Sequence, residues 1–216
     1  MWPKPHYRAD RGPQNQTRRR PKPRPRKRFH PEVLSDEEVR ALMRACGEST
    51  TGIRNRALIA ILYRGGLRIT EALSIWPKDL DLNNGAVRVL HAKGGKSRTT
   101  GLDPGAVSVI QHWLDCRQRW NVNGVHPVFC TRAGQAVTDG YIRRLLPALA
   151  QIAGIHKRVH AHGMRHTHAA QLRSEVIDIG IISKQLGHQS IATTARYLDH
   201  IAPVAVVAAI RQRAWS

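Results

Sequence analysis

A set of basic side chains and one tyrosine interrupts otherwise apolar segments of this chain: Arg68, Lys93, Lys96, His162, Arg165, His188 and Tyr197. These residue types suit phosphoryl transfer, because arginine forks match the oxygens over which the transition state spreads negative charge. A tyrosine is a weak nucleophile at neutral pH unless a base or a positive field assists it. A lysine can protonate a departing sugar hydroxyl when neighbouring cations depress its pKa. The set therefore predicts phosphodiester chemistry in which positive side chains replace divalent ions.

The spacing of these residues indicates which of them share a face. Arg68 begins a predicted short helix, and Glu71 lies three residues further on, where its carboxylate could hold the guanidinium. His162 and Arg165 are also three residues apart and would face the same way on a helix. The two lysines flank a tight Gly-Gly turn, where the backbone can approach a ligand closely.

Each residue also has a simpler interpretation when it is taken alone. Tyr197 on a late helix could be a packing residue, and the arginines could be partners in surface ion pairs. His162 and His166 form an i, i+4 pair that could share a zinc ion, although cysteines and acids are not close to them in sequence. For this reason we expect no metal site.

The elements that would position these residues are mostly helical from residue 31 onwards. Ser35 and Glu38 form a capping-box signature before an amphipathic segment. A hairpin of two short strands is predicted over 85–102, with the Gly-Gly turn at its tip, and "HPVFC" (126–130) could form a single strand. Helices are predicted over 51–64, 69–75, from Pro104 onwards, and over 138–152, 165–174, 178–186, 190–198 and 202–213. The predicted fold class is mainly α with a small antiparallel β-sheet.

Five motifs occur in a fixed order along the chain: "GLRITEAL", "AKGGKSR", "HGMRHTHA", "LGHQS" and "TARYLDH". Together they resemble the tyrosine recombinase (phage integrase) family, and the resemblance covers roughly residues 33 to 213. It implies the catalytic-domain fold of that family and a site-specific DNA recombinase or integrase. Such an enzyme cleaves and rejoins DNA strands without metal, ATP or another cofactor.

The same resemblance implies how the scissile phosphate would be bound. Arg68 and Arg165 would be the two arginines that grip it, and His188 would hydrogen-bond to it. Glu71 matches a supporting acidic residue of the family.

The resemblance also implies the roles in strand cleavage. Tyr197 would attack the phosphate and form a 3′-phosphotyrosyl link, while His162 takes or relays its proton. Lys93 matches the hairpin lysine that acts as general acid toward the leaving 5′ hydroxyl. Lys96 is the second candidate for that role, because the hairpin is where the match is loosest.

The chain of 216 residues carries 35 Lys and Arg against 15 Asp and Glu, a net charge of +20 that indicates a polyanionic partner. Residues 1–30 hold eleven of these cations, one acid and six of the 12 prolines, which predicts a disordered basic arm ahead of a catalytic domain over 31–216. A solubilising tail is the alternative. The predicted DNA-binding residues of the arm are Arg18, Arg19, Arg20, Lys22, Arg24, Arg26, Lys27 and Arg28.

Partners follow from the charge and from the resemblance. We expect double-stranded DNA, a dimer or tetramer assembled on it through residues 203–210, and possible accessory DNA-binding proteins, but no membrane. Three widely spaced cysteines indicate thiols in a reducing cytoplasm, where the protein would associate with the nucleoid. Family members usually carry an N-terminal helical domain that closes around the DNA, whereas this chain resembles short members such as fimbrial-switch invertases.

Two other functions are compatible with the same residues. One is a non-catalytic DNA-binding accessory or regulatory protein that keeps the fold. The other is a DNA-relaxing enzyme similar to type IB topoisomerases, which would use similar chemistry without exchanging partners.

Overall fold

The computed structural model describes residues 32–90, 97–120, 122, 124–188, 190–198 and 210–211, and for Arg196 and Tyr197 it describes the backbone alone. The elements in chain order are α1 (Asp36–Ala45), α2 (Thr50–Tyr63), α3 (Ile69–Leu73), a short 3-10 helix (Pro77–Asp79), β1 (Leu80–Asp81), β2 (Ala86–Val89), β3 (Arg98–Gly101), α4 (Pro104–Gln118), α5 (Asp139–Ile152), α6 (Ala161–Ser174), α7 (Ile179–Leu186) and α8 (Ile191–Leu198). The predicted fold class, mainly α with a small antiparallel sheet, is confirmed.

Helix α1 begins as the sequence predicts. The Ser35 hydroxyl accepts a hydrogen bond from the Glu38 backbone N–H at 3.2 Å, and the Glu38 carboxylate accepts one from the Ser35 N–H at 2.7 Å. This reciprocal capping box satisfies two of the N–H groups that a helix start leaves without intrahelical partners.

Helix α2 is the centre of the main core. Its residues Leu58, Ile61 and Leu62 are at most 1% exposed, and its second half, 57–63, is buried on every side, as suits a central helix. It packs against α4 and α6. On α4 the buried indole of Trp113 donates to the Val128 carbonyl at 2.9 Å, which ties the loop before α5 to the core.

The sheet has the order β1-β2-β3 with antiparallel pairing. Strands β2 and β3 confirm the two predicted strands, and the pair Val89–Arg98 closes the ladder at the end from which 91–96 extend. Lys93 and Lys96 belong to that segment and lie outside the described residues.

A second, smaller core joins the last three described helices. It is formed by four buried side chains, Ala169 of α6, Ile182 and Leu186 of α7, and Leu198 of α8. Because α8 packs here, the backbone position of Tyr197 is fixed against α6, which carries Arg165, and against α7, which ends just before His188.

Two sequence-based predictions need correction. Helix α6 starts at Ala161, four residues before the predicted start at 165, so His162 lies in its first turn. The single strand predicted over 126–130 is wrong: this segment contributes one isolated bridge, between Cys130 and Ala136, and the Val128 N–H donates to the Ile75 carbonyl at 2.8 Å. Of the helix predicted over 202–213, the structure describes 210–211, which are helical. Among the described helices, none has the length and apolar character needed to cross a membrane.

Candidate active site

Arg68 lies at the start of α3, where the chain leaves the "RGG" turn. Its guanidinium Nη1 donates to Glu71 Oε1 at 2.7 Å, and its backbone N–H donates to Glu71 Oε2 at 2.9 Å. The predicted contact between these two residues is therefore present. The Arg68 side chain stays 30% exposed, which leaves it accessible to a ligand from solvent.

Glu71 holds a second arginine that the sequence analysis did not single out. Arg98, the first residue of β3, donates to Glu71 Oε1 at 2.9 Å and to Oε2 at 2.8 Å, so the carboxylate is shared by two guanidinium groups. Burial of Glu71 opposes ionisation, but the hydrogen bonds from Arg98 and Arg68 outweigh it and lower the pKa of Glu71 to about 2. The only sequence signal for Arg98 was its place at the end of "AKGGKSR".

Arg165 is buried in α6 and is oriented by main-chain oxygens. Its Nη1 donates to the Gly66 carbonyl at 2.5 Å, and its Nη2 donates to the Leu186 carbonyl. Gly66 has a φ of +61°, and a Cβ there would lie 2.7 Å from Cδ2 of His168. A glycine is therefore required for the "RGG" turn to bring its carbonyl to the guanidinium.

His188 follows the left-handed C-cap of α7 in a loop between two helices, as predicted. Its Nδ1 lies 2.8 Å from Oγ1 of Thr194, a fully buried residue of α8. Burial, followed by the positive charges of Arg165, Arg68 and Arg98, lowers the pKa of His188 to about 4. The imidazole is therefore neutral at neutral pH, and the arginines are close enough to act on it.

His162 lies in the first turn of α6, one turn before Arg165. Its ring packs edge-to-face on that of His166, with centroids 4.5 Å apart. Partial burial of the ring and the positive charges of Arg165, His160 and Arg68 lower its pKa, so it can accept a proton at neutral pH. Within the part of the chain that is described, no group of three or more His, Cys, Asp or Glu side chains is placed to hold a metal ion.

The structure brings several predicted residues to one region. The positive charges of Arg68 and Arg165 act on both His162 and His188, and α8 carries Tyr197 within one helical turn of Thr194. The predicted DNA-binding residues of the arm lie outside the described residues. The arrangement is a candidate phosphodiester-binding site on a mainly helical domain.

Comparison with known proteins identifies the family to which this domain belongs. The family model described as "Phage integrase family" matches residues 32–202. The chain belongs to the phage integrase family.

Three similar proteins illustrate the relationship. Tyrosine recombinase XerC of Xanthomonas campestris pv. campestris (strain B100) is 34% identical over 178 residues, which cover 81% of this chain and 54% of that protein. Type 1 fimbriae regulatory protein FimE of Escherichia coli (strain K12) is 31% identical over 165 residues, which cover 76% of this chain and 83% of that protein. The crystal structure of XerH site-specific recombinase bound to palindromic difH substrate, a post-cleavage complex, aligns with a TM-score of 0.68 at 29% identity, covering 85% of this chain and 54% of that one. This chain thus spans about half the length of the XerC relative, of which the match covers 54%.

Proposed function

We propose that this chain catalyses site-specific recombination of double-stranded DNA through a covalent 3′-phosphotyrosyl intermediate on Tyr197. The observation that carries the proposal is the convergence of Arg68, Arg165 and His188 beside the helix that bears Tyr197. Membership of the phage integrase family, and the similarity to recombinases named for this activity, support the same conclusion.

The scissile phosphate would bind between the two arginines. Arg68 is partly exposed and Arg165 is buried, so they could contact the two non-bridging oxygens from different depths of the site. Guanidinium groups match phosphate oxygens in geometry and stay charged at all relevant pH values. His188 would add a neutral N–H donor, because its lowered pKa keeps the imidazole uncharged.

Cleavage would exchange one phosphoester bond for another. The Tyr197 oxygen forms a bond to phosphorus while the bond from phosphorus to the 5′ oxygen breaks. His162 takes the tyrosine proton, and Lys93, or Lys96 in its place, protonates the departing 5′ oxygen. A 5′ hydroxyl of another strand reverses these steps, and the number of phosphoester bonds is conserved, so rejoining requires no nucleotide hydrolysis.

The same proposal includes the assembly and the location of the protein. The arm would lie along the phosphate backbone and add salt-dependent affinity that is independent of sequence. Two or four copies would assemble on paired DNA sites through residues 203–210, with accessory DNA-binding proteins where a site needs them. The protein would then work on the nucleoid in the cytoplasm.

Covalent trapping tests the chemistry directly. The full chain is incubated in EDTA with a pool of nicked duplexes that tile the DNA around its own coding sequence, and adducts that survive denaturation are sequenced. Wild type and Tyr141→Phe, a matched tyrosine substitution outside the site, should form an adduct at a defined position. Tyr197→Phe should bind the same duplex without forming one.

Other outcomes would replace the proposal. If the protein binds DNA and forms no adduct, it is a DNA-binding accessory protein, and Tyr197 is a packing residue. If it relaxes supercoiled plasmid without a defined site, the activity is that of a type IB topoisomerase.

The general acid is tested on the duplex that the trapping experiment identifies, with the bridging 5′ oxygen of its scissile phosphate replaced by sulfur. A thiolate leaves without a proton, because the pKa of a thiol is about 8.5. Lys93→Ala should lose cleavage of the oxygen substrate and regain it with sulfur, whereas Lys96→Ala should cleave both. The reverse pattern would assign the role to Lys96.

A further inference from the structure

The contact between His188 and Thr194 joins two parts of the site that are separate in sequence. The Nδ1 and Oγ1 atoms are 2.8 Å apart, a hydrogen bond of ordinary length between a half-buried ring and the hydroxyl of a fully buried residue. Thr194 lies on α8, one turn before Tyr197. The bond therefore connects the loop that would contact the phosphate with the helix that carries the nucleophile.

The direction of this bond determines what the other side of the ring can do. A neutral imidazole carries one N–H group, and the partner of one nitrogen sets which nitrogen holds the hydrogen. A threonine hydroxyl can donate or accept. If it donates to Nδ1, the hydrogen of His188 must be on Nε2; if it accepts, Nε2 presents a lone pair.

We propose that Thr194 is a positioning residue whose hydroxyl donates to Nδ1 of His188, so that Nε2 carries the hydrogen that binds the scissile phosphate. This inference rests on the proposed function of the site. With the opposite tautomer, the Nε2 lone pair would face the anionic phosphate and repel it.

Three charges near the ring favour a neutral imidazole over an imidazolium. Burial of the ring lowers the pKa of His188 most, and the charges of Arg165, Arg68 and Arg98 act in the same direction. A doubly protonated ring would carry a hydrogen on both nitrogens, so Thr194 would not influence which nitrogen donates. For a neutral ring, a hydroxyl that donates to Nδ1 stabilises the tautomer with its hydrogen on Nε2.

The tautomer can be measured without DNA by ¹⁵N NMR of the histidine-labelled full chain at pH 7, with His188→Gln for assignment. Wild type should show a protonated Nε2 and an unprotonated Nδ1 for His188. Thr194→Ser should keep this signature, and Thr194→Val, which has the same shape without the hydroxyl, should move the Nδ1 resonance to that of a nitrogen that accepts no hydrogen bond. Thr193→Val is the matched control, because Thr193 is exposed on the same helix, and it should have no effect. A protonated Nδ1, or an imidazolium, in the wild type would overturn the proposal.

Kinetics test whether the bond matters for the reaction. With the nicked duplex that the wild type traps, Thr194→Val should lower the single-turnover cleavage rate at saturating DNA by about tenfold or more. Duplex affinity should change by less than about threefold, because it comes mainly from many backbone contacts. Thr194→Ser and Thr193→Val should cleave at close to the wild-type rate.

A double-mutant cycle separates positioning from a general loss of structure. In a His188→Ala background, Thr194→Val should cause almost no further loss of rate, because its effect acts through the imidazole. An undiminished loss in that background would show that Thr194 acts independently of His188, and would overturn the proposal. If the wild type itself forms no adduct, the proposed function fails, while the tautomer measurement still decides the direction of the bond.

Discussion

Glu71 is the residue whose replacement tests the electrostatic basis of the site most directly. Its side chain is 2% exposed and accepts hydrogen bonds from both Arg68 and Arg98. The fall of its pKa from 4.5 to about 2 corresponds to about 3 kcal/mol in favour of the ionised carboxylate. Glu71→Gln keeps the shape and removes the charge, so we expect the free energy of unfolding at pH 7 to decrease by about 3 kcal/mol. For a chain of this size that is a fall in Tm of about 6–12 °C.

The pH dependence of this loss has a defined sign. A carboxylate with a depressed folded pKa contributes stability that is fully present above its unfolded pKa of 4.5 and is lost as the pH falls toward about 2. The difference between wild type and Glu71→Gln should therefore shrink to less than half of its pH 7 value by about pH 3. Urea denaturation at pH 7, 5, 4 and 3 measures it.

An exposed ion pair supplies the matched control. Glu48 lies 2.7 Å from Arg56 but its side chain is 84% exposed, so solvent screens the pair and Glu48→Gln should cost much less stability than Glu71→Gln. The reasoning would be refuted if the two glutamine variants lost equal stability at pH 7. It would also be refuted if the loss in Glu71→Gln were independent of pH.

Three further predictions concern the groups around this carboxylate. Gly187→Ala should destabilise the protein by about 2–3 kcal/mol, because Gly187 has a φ of +63° and a Cβ would lie 2.6 Å from the Arg98 side chain. Its control is Gly47→Ala, which should cost about 1 kcal/mol, because Gly47 has a φ of +70° but lies in open space. Equal losses of stability in urea denaturation would contradict the contact argument. Arg98→Lys keeps the charge but cannot donate two parallel hydrogen bonds to Glu71, so the free energy of unfolding should decrease by about 1–2 kcal/mol and DNA cleavage should become slower. Unchanged stability and cleavage rate would show that the paired hydrogen bonds are unimportant. His188 should titrate by NMR with a midpoint near 4 in the free protein. Because the histidine of the unfolded chain binds a proton at a higher pH than that of the folded protein, stability should fall as the pH decreases from about 6.5 toward 4. A midpoint at or above 6 would contradict the effect of burial and of the arginines.

Local sequence rules predicted the elements well where the signal lies within a few residues. The capping box at Ser35 forms as its spacing requires, and the two strands of the hairpin pair as predicted. The start of α6 was missed because His160 makes no side-chain cap, and nothing local marks Ala161 as the first helical residue. The strand predicted over 126–130 failed because the Val128 N–H bonds to the loop after α3 and not to a neighbouring strand.

The sequence by itself determined the family and most of the candidate site, because the order and spacing of five short motifs are written in it. It placed Glu71 beside Arg68 because three residues on a helix are one turn apart. Only the tertiary structure decided that Arg98 shares this carboxylate, that Arg165 is held by the Gly66 carbonyl, and that His188 bonds to Thr194. Each of these contacts joins separate elements or a loop and a helix, and its direction and distance depend on how those elements pack. Hydrogen bonds of that kind exist only after the chain has folded, so no periodicity in the sequence encodes them.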